Sequence, residues 1–573
     1  MSKRMGKVIR MAEKSAFKEK LSHLKEKLST FFGAYGFAFD LAISIFFLVV
    51  SVWSLVNYIT GPALAYFHSD CADSLIWAQA SIESGKVLSE DFAYAALLPF
   101  GSNLWMIPII KLFGFTMKAQ TLSMIVFAVI FVLSALAMFR SMKWRWSLSS
   151  AAVFCLSMML SASVKLREIM WEHVIYYSLG ILFVMLLLTL VFRLSDKLHG
   201  FFGGSVTDKI KAGVYALLLG ALCAGCATDG LQILVISVIP VAIAVAAYLI
   251  FDSDTKLLSG SAGRSYALLG IIAVGTLIGF LVLNSITNGG EISAGYEDAY
   301  SSWSSVNKWQ DNAKLFVSHY FSLAGVDIKD GTSLMATESI TALVRTFGAL
   351  VVLVCPFVLL FSYNRLRDRY SKIVALTHLA IFAVIIFTFV CGRLSNANWR
   401  LTPLFGSSVI ATLVYIKHLL GGGVTFRRVG AILAAFLVCV SVVNNTVMSD
   451  LKDKDAGKEP LAAVAELLVE KGYDRGYATF WNAAETALRS DGKVAIINVD
   501  LQNREVLKRH YQTMKYWFDD VEGQEEYFLL LTEQEYTSLY DSPYWIELTS
   551  RVSITDTLTC NDYYIIVFDD NIF

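Results

Sequence analysis

Eleven runs of mostly apolar residues divide this chain, most of them close to the ~20 residues a helix needs to cross the hydrocarbon core of a bilayer. They fall at roughly 39–60, 117–139, 147–164, 174–192, 212–227, 231–251, 266–285, 340–362, 373–391, 403–419 and 429–447. Inside lipid every backbone N–H and C=O has to be satisfied within its own segment, so the spacing predicts a membrane all-α bundle. Composition agrees. Only 17% of residues are charged, against about 25% in soluble proteins. The 48 basic and 48 acidic residues cancel, leaving no excess charge for binding nucleic acid.

Charge sets the expected orientation. With the basic leader 1–38 placed in the cytoplasm, the leader and inner loops together hold 25 lysines and arginines. The outer loops, though longer in total, hold fewer than half as many, as the positive-inside rule requires. No cleavage-site pattern follows the first run, which reads as an anchor and not as a removed signal. The expected location is the plasma (inner) membrane, with an odd number of spans carrying the C-terminus outside.

The transmembrane part is expected over 39–449, with long outer loops at 61–116 and 286–339. Within the first loop, 98–114 is apolar but interrupted by Pro99, Gly101 and Pro108, the pattern of an interfacial or re-entrant helix. From 450 the composition changes. A charged linker ends at Pro460, an amphipathic helix is expected over 461–472, and β-rich runs follow at 494–500, 527–532 and 563–569. Residues 450–573 read as an extracytoplasmic α/β domain; their 24 acidic and 12 basic residues suit a surface away from the inner leaflet.

Ionisable residues at the outer membrane face carry the functional signal, because charge is costly there unless it is paired or used. Asp70 and Asp73 follow the first span at i and i+3, a spacing that puts both on one helix face. Two readings stand side by side: Ser69 or Asp70 caps the helix that follows, or the carboxylates serve as general base and orienting acid. A second cluster, REIMWEH at 167–173, is expected in the short loop between the third and fourth spans and holds Glu168, Glu172 and His173, which serve either a site or a helix end at the interface. Asp229 sits in a tight Asp-Gly turn, after Cys223 and Cys226, which read as small-residue helix packing. The third cluster, CGRLSNANWRLTP at 391–403, sets Arg393 and Arg400 around Asn398 and Trp399. Arginines in an outer loop run against the orientation rule, and their planar forks suit phosphate oxygens. Walker, dinucleotide-glycine, HExxH and GxSxG patterns are all absent from the sequence, which removes support for ATP-driven transport, redox chemistry and serine hydrolysis.

Taken together, these features resemble the C-type (GT-C) polytopic membrane glycosyltransferases, among them relatives of the protein O-mannosyltransferases and aminoarabinose transferases. The likeness rests on Asp70 with the helix ending at Ser84-Gly85, on the broken helix from Pro99 to Phe113-Gly114, on Asn398-Trp399-Arg400 before Pro403, and on the distal domain. Two departures are visible. The neighbouring acids frequent in that family are here Asp70-Cys71 with the second acid delayed to Asp73, and Leu98-Pro99-Phe100 stands where some members have Lys-Pro-Pro. The resemblance implies a hexosyltransferase-like enzyme of the cell envelope that takes its sugar from a polyprenyl-phosphate donor in the membrane lipid. The acceptor would be a glycan, a lipid or a protein. Asp70 would act as base, helped by Asp73 or Glu168, and Arg400 with Arg393 would clamp the phosphate. His173, Asp229, Asn398 and Trp399 would shape the acceptor pocket. No cofactor is required, although a divalent cation on Asp70, Asp73 and Glu168 is compatible with the acids present. The competing reading is a lipid or sugar transporter or flippase, which calls for charges at mid-membrane depth and repeated broken helices; neither is evident. A mere anchor for the distal domain would not need eleven spans.

Overall fold

The computed structural model describes residues 36–198, 204–252, 262–287, 302–451 and 459–573. All but the last three residues of the basic leader lie outside the described residues, as do 288–301 of the second long loop and most of the linker after 450.

In chain order the helical part comprises α1 (Gly36–Ala65), α2 (Ser69–Ser84), α3 (Asn103–Phe113), α4 (Met117–Ser141), α5 (Trp146–Met159) and α6 (Val164–His173). It continues with α7 (Tyr176–Leu198), α8 (Val206–Thr228), α9 (Leu231–Phe251), α10 (Gly263–Ile286) and α11 (Trp309–Leu323). The last four are α12 (Thr337–Phe361), α13 (Arg369–Val390), α14 (Asn398–Leu420) and α15 (Val424–Ser449). Ten of these are long and apolar enough to cross a membrane singly, and α5 with α6 makes an eleventh if counted as one bent span. The chain is a multi-pass membrane protein.

Polar residues at the run ends start several helices. The hydroxyl of Thr116 accepts from the Ala119 N–H at the head of α4, that of Ser205 from Asp208 at α8, and the Asp368 carboxylate from Ser371 at α13. Each such cap satisfies a backbone donor that the helix leaves open. α8 and α10 pack at backbone contact. A Cβ added at Gly275 would lie 2.5 Å from the Gly220 carbonyl oxygen, and one at Gly279 only 2.2 Å from that of Ala224. Cys223 and Cys226 are buried beside this seam, where small residues let helices approach closely.

The third apolar run differs from its sequence expectation. α5 stops at Met159 after 14 residues, and the chain bends by 116° into α6. Ser163 accepts the Leu166 N–H at 3.1 Å and so begins a new helix inside the segment expected to span. Residues 167–173 are accordingly not a loop: α6 continues through them and closes as a π-helical turn from Glu168 to His173, a form common where side chains are redirected at functional sites. The helix expected within 98–114 is present as α3, starting only after Pro99 and Gly101 and carrying Pro108 inside it.

The C-terminal segment folds as α16 (Pro460–Lys471), β1 (Arg475–Thr479), α17 (Phe480–Arg489), β2 (Ala495–Gln502), β3 (Glu505–Lys508), β4 (Tyr527–Thr532), α18 (Glu533–Leu539), α19 (Pro543–Arg551), β5 (Ile554–Cys560) and β6 (Tyr563–Phe568). The strand order is β3-β2-β1-β4-β6-β5, with β1 parallel to both neighbours and the other pairs antiparallel. Central strands buried on both faces read as unbroken apolar runs, which explains YFLLLT. Leu529 and Leu531 pack toward Trp545 and Leu548, while Phe528 and Leu530 pack toward Val464 and Leu468.

This α/β unit sits directly on α2 and the loop after it. Gln512 N–H donates to the Ala93 carbonyl at 2.9 Å and Lys515 N–H to that of Asp91 at 3.0 Å. The Ser69 hydroxyl donates to the Trp481 carbonyl at 3.1 Å, and Arg489 to that of Leu64 at 3.1 Å. Net contributions of about 1 kcal/mol for each such bond add to the apolar surface buried beneath them.

Candidate active site

A cavity of about 720 Å³ lies between the end of the helical bundle and the α/β unit. α2 turns both Asp70 and Asp73 toward it, α6 brings Glu168 and His173, and the start of α14 brings Trp399 and Arg400. Six of the nine residues that the resemblance implies for the site therefore meet in one place. α6 can deliver its two because its π turn follows the sharp bend after α5. Gln120 of α4 ties this arrangement together, donating to the carbonyls of Cys71 at 2.8 Å and Glu172 at 3.1 Å.

The acids differ in how far they are engaged. Asp70 is half-buried and makes no hydrogen bond or ion pair with another described residue. It does not cap α2: the N-cap position is His68, and Ser69 instead binds the α/β unit. Asp73 is only 6% exposed, with His173 Nε2 3.4 Å from its Oδ2. Burial lifts its carboxyl above the usual range, and the facing His173 and the Gln512 side chain offset this only in part. Glu168 is already committed, receiving Lys165 Nζ at 2.6 Å and lying 3.5 Å from His68 Nε2. Burial works against a charged His68, but Glu168 and the nearby Asp70 outweigh it and raise the imidazole above its usual value.

Arg400 is 6% exposed, and its Nη1 donates to the Arg393 carbonyl at 3.2 Å. Arg400 also lines the cavity. Three residues expected at the site are not among those lining the cavity. Arg393 is exposed and acts through its backbone oxygen. Asn398 donates to Ser322 on α11 at 3.3 Å. Asp229 is buried and accepts the Phe100 N–H at 2.7 Å, anchoring the turn that leads into α3. The Asp-Gly turn chemistry thus extends to a long-range contact that spacing alone does not show.

Sequence reasoning missed Lys165 and everything the α/β unit supplies. Lys165 Nζ sits over the Trp399 ring at 4.8 Å from its centroid, linking the α6 and α14 walls. The sign was present, since Lys165, like Arg400, is a cation in a segment that the sequence led one to expect as an outer loop. From above come Trp481, Asp500, Arg509, Tyr511 and Gln512. Arg509 pairs with Asp500 at 2.7 Å and lies against the Phe480 and Tyr511 rings. Nothing local in the sequence marks these residues. Among the described residues no group of three or more His, Cys, Asp and Glu side chains could hold a metal ion, and Glu168 is paired with Lys165 and His68.

Fold and cavity together define a class: a multi-pass membrane protein whose polar, mixed-charge cavity opens at one end of the bundle beneath a C-terminal sheet domain. No protein-family model matches the sequence, and no curated protein matches it. Among solved structures, ArnT from Cupriavidus metallidurans bound to undecaprenyl phosphate is similar over 93% of this chain and 98% of its own, at 12% identity and a TM-score of 0.54. The same protein in the apo state is similar over 87% and 93%, at 11% identity and a TM-score of 0.51. The chain shares its fold with these two structures.

Proposed function

We propose that this protein is a membrane glycosyltransferase that moves a sugar from a polyprenyl-phosphate donor to an acceptor hydroxyl on the outer face of the plasma membrane, in cell-envelope glycan synthesis. One observation carries this reading: an uncommitted carboxylate, Asp70, and a buried guanidinium, Arg400, line the same cavity although 330 positions separate them in the chain. The bound lipid of the similar ArnT structure is itself a polyprenyl phosphate, which supports the donor class.

In this mechanism Asp70 takes the proton of the acceptor hydroxyl as general base. The acceptor oxygen forms a bond to the anomeric carbon while the bond from that carbon to the phosphate oxygen breaks. The electron pair leaves on the polyprenyl phosphate, where Arg400, itself 6% exposed, offsets the growing negative charge. A single in-line displacement inverts the anomeric configuration. Asp73 with His173 orients the acceptor, and Lys165 adds positive charge on the donor side. The Trp481 ring, 59% exposed at the cavity rim, offers an apolar platform to a sugar face. The N-terminus lies in the cytoplasm and the C-terminal domain outside.

Reconstitution in proteoliposomes with a labelled polyprenyl-phosphate sugar tests this directly. Label covalently attached to an acceptor from the cell envelope is the expected result. Movement of the intact donor between leaflets without transfer would instead establish a flippase.

A further inference from the structure

Eight described non-glycine residues adopt positive φ, and only two of them, Val174 and Gln512, are buried. They flank one feature. Val174, at φ +44°, follows His173 directly, and Gln512, at φ +58°, lines the same cavity as Asp73 from the α/β unit. A β-branched residue in the left-handed region is a true outlier, and such strain persists only where surrounding contacts over-determine it. Those contacts are present on both sides. The Ser74 hydroxyl points at the carbonyls of His173 and Val174, at 3.4 and 3.2 Å. Gln512 is 2% exposed; its N–H is bound to Ala93, its carbonyl accepts from Asn498 at 3.2 Å, and its side-chain oxygen accepts the Trp77 indole N–H at 3.2 Å.

We infer that Gln512 is a positioning residue for the Asp73–His173 couple, so that the reaction cavity is complete only with the C-terminal domain docked. This rests on the transferase reading above, in which that couple orients the acceptor. With its oxygen taken by Trp77, the amide has only its NH₂ group left to turn toward the Asp73 carboxyl. The bond from Trp77 and the strained backbone at 512 together aim it there, and the isolated bridges Phe92–Met514 and Ala93–Tyr511 fix the segment that carries it. The charged groups around Asp73 are Asp70 on its own helix and His173 from α6, with Arg509 on the same cavity wall.

The test is the pH dependence of kcat for sugar transfer in Gln512→Met and Gln512→Glu, with melting temperature and donor KM alongside. Met keeps the length and removes the amide, so kcat falls about ten- to a hundredfold, and the acidic limb moves to higher pH because a group favouring the carboxylate is gone. Glu moves the limb further in the same direction, while donor KM stays within twofold of wild type. Folded variants with a wild-type limb and kcat overturn the proposal. If neither variant folds, Trp77→Phe frees the amide without touching the backbone at 512, and a wild-type limb in that variant overturns it equally. Asp73→Asn separates the two layers. Full activity there sinks the role assigned to the couple itself, whereas an impaired Asp73→Asn beside a normal Gln512→Met sinks the positioning role alone.

Discussion

Replacing Asp70 by Asn keeps the side-chain shape and removes the base. Asp70 has no hydrogen-bond or ion-pair partner among the described residues and is half-buried, so no native contact is broken and stability should change by about 0.5 kcal/mol or less. Loss of a positioned general base costs about a hundred- to ten-thousandfold in rate. At ~1.4 kcal/mol per factor of ten, that is about 3–5 kcal/mol of transition-state stabilisation from a change the fold scarcely registers. The contrast between the two magnitudes is the diagnostic. The assay is single-turnover transfer from a labelled polyprenyl-phosphate sugar by purified protein, with a thermal melt on the same sample. A folded Asp70→Asn variant that transfers within threefold of wild type refutes the assignment of the base.

Other outcomes follow from the same geometry. Arg400→Lys loses the planar fork in a buried setting, so donor KM should rise about tenfold, and Arg400→Ala by more; unchanged donor affinity in both would remove the phosphate clamp. Burial lifts Asp73, so kcat should fall on acidification through a value above the ordinary carboxylate range. Removing the neighbouring negative charge lets Asp73 ionise more easily, so the residual activity of Asp70→Asn should show that limb at lower pH. A pH–rate series on both proteins checks the sign. Gly279→Leu drives a side chain into the Ala224 carbonyl, 2.2 Å from where its Cβ would stand. It should lower stability by about 1–3 kcal/mol or more, seen as a fall in melting temperature in detergent, whereas Gly270→Ala on the same helix has open space and should not.

The parts of this protein that the sequence makes legible are those set by local repetition. Apolar run length dictates the spanning helices, since a bilayer imposes one dimension on all of them, and period and β-branching mark the later strands. The Asp70 and Asp73 spacing puts both on one face of α2 for the same reason. Where local signals compete, the reading fails. The run at 147–164 is uncharged and apolar enough to read as a span despite its serines, yet Ser163 serves better as a cap than as a helix interior, and the bend that results redirects Glu168 and His173. Arg393 and Arg400 look equivalent in the sequence, but in the fold Arg400 is buried at the cavity while Arg393 is exposed and offers it a backbone carbonyl.

What the amino-acid order determines alone is therefore a multi-pass helical bundle followed by an α/β unit, with polar residues gathered in the loops on one side. Which of those residues share a cavity is decided by contacts between segments hundreds of positions apart, above all by the α/β unit settling on α2 and bringing Arg509, Gln512 and Trp481 over the acids. The reason is physical. Helix formation in lipid is governed by near neighbours and membrane thickness, whereas the burial of Asp73 and the aim of Gln512 exist only after distant surfaces have closed on one another.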